Sequence, residues 1–101
     1  MGYKVLFVDD EDMVLKALKR AMRHENFDIY TASNGEDALR LIAGVEFHLV
    51  VSDNGMPGMS GLELLAKIKQ EYPETITMML TGQSQVNVAM KIVMFCLQKN
   101  I

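Results

Sequence analysis

What the chain lacks narrows it first. Its one cysteine, Cys96, excludes an internal disulfide, and that residue lies in the apolar stretch Ile92 to Leu97, where a thiol reads as packing rather than as a nucleophile. No apolar run approaches the roughly 20 residues needed to cross a bilayer, and the N-terminus carries no basic, apolar and small-residue leader pattern. A reducing cytoplasm is therefore the expected compartment. Positive charge is also short: the net charge of -3 over 101 residues argues against a nucleic-acid binder, which needs clustered Lys and Arg. The single basic cluster, Lys16, Lys19, Arg20 and Arg23, has helical spacing and reads as a solvated face. Long polar tracts are absent, and half the residues are hydrophobic, so the chain is an ordinary globular domain. Nine methionines are present, and Met13, Met22, Met78, Met79 and Met90 fall in apolar patterns that suit core gap-fillers.

What is there is an alternation of short apolar runs and helical patterns. Val5 to Val8, Leu49 to Ser52 and Met78 to Leu80 read as parallel strands buried on both faces. Phe27 to Ala32 alternates apolar and polar side chains, as a strand near a sheet edge would. Asp12 is a candidate cap for a helix carrying Met13, Val14, Ala17, Leu18, Ala21 and Met22 on its apolar side. A second helix starts at Asn34 to Asp37 and stops near Gly44, and a third carries Leu62, Leu64, Leu65 and Ile68 up to Pro73. A fourth is expected from about Ser84. With the right-handed crossover rule, these units predict a doubly wound α/β domain with helices on both faces of a parallel sheet.

Each strand-like run ends in polar residues: Asp9 and Asp10, Asp53, and Thr81 with Gly82. In open α/β sheets ligands bind beyond the carboxyl ends of the strands, so three carboxylates and a hydroxyl are expected to converge there. Converging carboxylates repel one another unless they hold a hard divalent cation, and the simplest reading is a magnesium site. A duller reading remains open, in which Asp9 and Asp12 cap the first helix and Thr81 caps the fourth. It leaves Asp53 unexplained.

Val8-Asp9-Asp10, Asp53, the loop Met56-Pro57-Gly58-Met59-Ser60-Gly61, and Thr81-Gly82 occur in an order and spacing that resembles the receiver domain of two-component response regulators. The resemblance covers residues 3 to about 91. It implies a flavodoxin-like fold, with a strand order of 2-1-3-4 for the strands found, and phosphorylation on aspartate by a histidine kinase. It makes Asp53 the phosphoacceptor and assigns Mg²⁺ to Asp10, Asp53 and the backbone carbonyl of Gly55, with Asp9 acting mainly through a bound water. Thr81 would donate a hydrogen bond to the phosphoryl group and act as the switch, and an output protein or domain not on this chain would be the second partner. Nothing in the pattern calls for an enzyme with an external substrate, or for nucleic acid or membrane as a partner. His24 and His48 receive no role.

The family continues with a fifth strand ending in Lys-Pro and a fifth helix, whereas only twenty residues follow Thr81. The reading is therefore of one receiver domain over residues 1–101 that stops after the fourth helix, with strand five and helix five missing or incomplete. Lys99 stands where the phosphate-facing lysine would be, followed by Asn100 instead of proline. Either Phe95 to Lys99 forms a cramped fifth strand or Met94 to Lys99 prolongs the fourth helix, and the second leaves strand four as a sheet edge that predicts a homodimer or segment exchange. An alternative function follows from it, a receiver-like interaction scaffold that is not phosphorylated. An aspartyl-phosphate hydrolase fits less well, because its Asp-x-Asp pair is absent after the first strand.

Overall fold

The computed structural model describes residues 3–23 and 27–80. Four parallel strands, β1 (Tyr3–Val8), β2 (Phe27–Ala32), β3 (Leu49–Asp53) and β4 (Ile76–Leu80), form one sheet of order β2-β1-β3-β4. Helices α1 (Asp12–Ala21), α2 (Gly35–Gly44) and α3 (Gly61–Glu71) connect them. The expected flavodoxin-like order is thus present. The expected fourth helix, the segment Met94 to Lys99 on which the missing or incomplete fifth strand turns, and with it Cys96 and Lys99, all lie outside the described residues.

Both faces of the sheet are covered because the central strands alternate between two cores. Val5, Phe7, Leu49 and Val51 point to one face and pack with Leu15, Leu18 and Met22 of α1 and the turn after it. Leu6, Val8 and Val50 point to the other, against Ala38 and Ile42 of α2 and Leu64, Leu65 and Ile68 of α3. Side chains alternate along a strand, so a continuous apolar run such as Val5 to Val8 needs apolar cover on both sides. At the sheet edge, β2 keeps Asp28 exposed, 3.8 Å from Lys4. Among the described residues β4 is the opposite terminal strand, and its five residues are half-buried.

Three expectations need correction. Met13 and Leu62 have helical core spacing yet are 82% and 63% exposed. Each stands two residues ahead of a buried one, Leu15 in α1 and Leu64 in α3, which is about 200° round the helix, so neither lies on the face that packs on the sheet. Asp12 is not the cap of α1: Glu11 holds that position without a side-chain cap bond, while Asp12 is the first helical residue and pairs with Lys16 at 3.2 Å. Elsewhere the capping chemistry is regular. Asn34 caps α2 by accepting from the Asp37 N–H at 2.8 Å. Lys16, Lys19, Arg20 and Arg23 are exposed, as expected of a solvated face.

Candidate metal and phosphoacceptor site

The sheet register brings the acidic residues together. Val8 pairs with Ser52 across β1 and β3, so the residues that follow, Asp9 and Asp53, stand side by side at the carboxyl end of adjacent central strands. Asp9 continues the ladder one step past β1, donating its N–H to the Ala32 carbonyl at 3.1 Å. Its Oδ1 accepts the Glu11 N–H at 2.9 Å, which folds the chain over the strand end and fixes the carboxylate before α1 begins. Asp10 is exposed beside it. Carboxylate oxygens of Asp9, Asp10 and Asp53 all lie within 4.8 Å of one another.

Such a cluster is electrostatically uncomfortable by itself. Burial pushes the Asp9 carboxyl above its ordinary value, the Glu11 N–H opposes this, and the charges of Asp53 and Asp10 add to the rise. A donor set made wholly of oxygen, with charges that repel until a cation intervenes, fits a hard divalent ion such as Mg²⁺. Gly55 adjoins the same carboxylates: a Cβ there would stand 3.9 Å from Asp53 Oδ2.

The floor of the site is the junction between β3 and α3. Ser52 is fully buried and its Oγ donates to the Asp53 carbonyl at 2.9 Å. A Cβ on Gly61 would meet that same carbonyl oxygen at 2.3 Å, so only glycine lets the helix start so close to the strand end. Between them, the loop uses a left-handed residue, Gly58, at φ +74°. Met59 leaves the loop to pack against Gly35 at the start of α2, where a Cβ would lie 2.6 Å from its sulfur. Ser60 and Glu63 form a reciprocal capping box at the head of α3. The pattern Ser60-x-x-Glu63 is a sequence signal for that box, whereas the packing of Gly61 against Asp53 has no local signal.

The structure thus brings together the carboxylates of Asp9, Asp10 and Asp53, with Gly55 adjoining Asp53. Thr81 and Lys99 lie outside the described residues, although Leu80, which precedes Thr81, pairs with Asp53 in the β3 and β4 register. His48 is at the other end of the sheet, where its Nδ1 accepts the Lys4 N–H at 3.0 Å.

A family model for the response regulator receiver domain matches residues 5–99. The chain belongs to the receiver domain family. Its curated relatives include the transcriptional regulatory protein SrrA of Staphylococcus aureus, 33% identical over 85 residues, which cover 84% of this chain and 35% of that protein. The probable transcriptional regulator ycf29 of Pyropia yezoensis is 39% identical over 70 residues, covering 69% of this chain and 32% of the relative. This receiver domain therefore spans about a third of the curated relatives it matches. Among solved structures, the response regulator TrrA of Thermotoga maritima, in complex with Mg²⁺ and BeF, is 36% identical with a TM-score of 0.75, over 81% of this chain and 71% of that one. The signal receiver domain of an HD domain-containing protein from Pseudomonas fluorescens Pf-5 gives a TM-score of 0.79 at 31% identity, over 92% of this chain and 74% of that one. No helix among the described residues is long and apolar enough to cross a membrane.

Proposed function

We propose that this receiver domain takes a phosphoryl group from a histidine kinase onto Asp53 and changes state in consequence, with Mg²⁺ held by Asp10, Asp53 and the Gly55 carbonyl and with Asp9 acting through water. The observation that carries the reading is the convergence of three carboxylates at adjacent strand ends, with the Asp53 side chain only half-buried and open to a donor. Bound there, Mg²⁺ would neutralise charge developing on the phosphoryl oxygens.

The chain's own residues supply position. β3 and Ser52 hold the Asp53 backbone, Gly61 lets α3 close under it, and the side-chain oxygen is presented as the nucleophile. An Asp53 oxygen forms a bond to phosphorus as the phosphorus–nitrogen bond of the donor imidazole breaks, and the electron pair and then a proton go to that nitrogen. Thr81, the residue after β4, and Lys99, the last residue of the matched span, supply the candidate hydroxyl and cation for the transferred group. Hydroxyl movement toward a new phosphoryl oxygen is the kind of local hydrogen-bond change that biases a switch loop.

The output lies with a partner, protein or domain, of the transcriptional-regulator kind named among the relatives. The cytoplasm, where kinase and output would meet, is the compartment this reading requires. The test is intact mass after incubation with Mg²⁺ and a small acyl phosphate. One added phosphoryl group in the parent protein, lost in Asp53→Ala, supports the reading, and no addition despite measured Mg²⁺ binding favours the scaffold alternative.

A further inference from the structure

The first turn of a helix leaves four N–H groups without intrahelical partners. In α3 the Ser60 N–H goes to Glu63 Oε1 and the Glu63 N–H to Ser60 Oγ, both at 3.1 Å. The other two go to Asn54, at the far side of the loop. Its carbonyl accepts the Gly61 N–H at 3.3 Å and its side-chain Oδ1 accepts the Leu62 N–H at 3.2 Å. One residue directly after Asp53 thus ties the end of β3 to the head of α3, and the loop between them, which begins with Gly55, is pinched shut at its base.

We propose that Asn54 is a positioning residue for the metal site, its side chain fixing the Gly55 backbone against the Asp53 carboxylate. The proposal rests on the Mg²⁺ reading above. Glycine has more backbone freedom than any other residue, and this loop contains two, Gly55 and the left-handed Gly58. Something must hold the Gly55 carbonyl where a cation at Asp53 can use it. The Gly61 N–H bond uses Asn54 backbone and any residue could make it; the Leu62 bond needs a side-chain acceptor of this length at position 54. Ser60 caps the same helix but sits at the other end of the loop, five residues from Gly55. The two polar caps are therefore separable: one anchors the helix alone, the other anchors the helix and the metal-facing backbone together.

The experiment compares Asn54→Ala, Asn54→Asp and Ser60→Ala by calorimetric Mg²⁺ titration and by amide hydrogen exchange at Leu62 and Glu63. Outer-shell partners of metal ligands commonly govern affinity by tenfold or more, so Asn54→Ala is expected to weaken Mg²⁺ binding about tenfold and to speed exchange at Leu62. Asn54→Asp keeps the acceptor and is expected to retain both the slow exchange and the affinity. Ser60→Ala is expected to speed exchange at Glu63 while leaving Mg²⁺ affinity within about twofold. Unchanged affinity in Asn54→Ala, or equal losses in Asn54→Ala and Ser60→Ala, would reduce Asn54 to a helix cap and overturn the proposal. No Mg²⁺ binding by the parent protein would overturn the functional reading, and this proposal with it.

Discussion

The Cα of Gly61 is packed against the carbonyl oxygen of Asp53 so closely that a Cβ would stand 2.3 Å from it. Backbone is on both sides of that contact, so no flexible side chain can yield. Gly61→Ala is expected to cost about 1 to 3 kcal/mol, the usual range for forced overpacking. At Gly44, the last residue of α2, a Cβ meets nothing within 4 Å, and Gly44→Ala is expected to be neutral or to stabilise by up to about 1 kcal/mol. Urea unfolding midpoints of the two variants should move in opposite directions.

The capping box at the head of α3 predicts a loss of about 1 kcal/mol in Ser60→Ala. Ser60 Oγ accepts the Glu63 N–H, and alanine leaves that donor to water. Urea unfolding of Ser60→Ala measures the loss, and an unchanged midpoint would show that the first turn is satisfied without it.

Asp9 sets a pH dependence for the metal-free protein. Its folded carboxyl is held above the ordinary 3.8 by burial and by Asp53 and Asp10. The native state then binds more protons than the unfolded chain between 3.8 and the raised value, so this residue's contribution to stability falls as pH rises through that window. Asp9→Asn keeps an oxygen to accept the Glu11 N–H and removes the charge. It is expected to unfold at higher urea than the parent at neutral pH without Mg²⁺, and to lose this part of the pH dependence.

Mg²⁺ should reverse the penalty it is bound to relieve. A ligand that binds only the folded state at 100 times its Kd stabilises by about 2.7 kcal/mol. Thermal unfolding with Mg²⁺ should therefore shift upward, return on chelation, and show no Mg²⁺ response in Asp10→Ala.

The sheet was legible because Val5 to Val8 and Leu49 to Ser52 are apolar on both faces, a pattern that demands helices on either side, as α1 and the α2 and α3 pair provide. The acidic site was legible because each of those runs ends in aspartate. Helix first turns were not: Met13 and Leu62 belong to apolar clusters but stand two residues ahead of the buried Leu15 and Leu64, on a side of the helix left to solvent. The tie from Asn54 to Leu62 and the contact of Gly61 with Asp53 escaped because they join residues eight apart through a loop whose shape no periodicity reports. Asp12 misled for a related reason. The turn before α1 is closed by Asp9, two residues behind Glu11, so the helix begins one residue earlier and takes in Asp12, the residue that looks like a cap.

The central claim is that Asp53, and neither of its two neighbouring carboxylates, accepts the phosphoryl group. An acyl phosphate is reduced by borohydride to an alcohol, which would convert a phosphorylated aspartate to homoserine and mark its position permanently. The protein would be incubated with Mg²⁺ and a small acyl phosphate, reduced, digested and mapped by mass spectrometry. The account predicts homoserine at position 53, and only in the sample containing Mg²⁺; homoserine at position 9 or 10, or none at all in a protein shown to bind Mg²⁺, would contradict it.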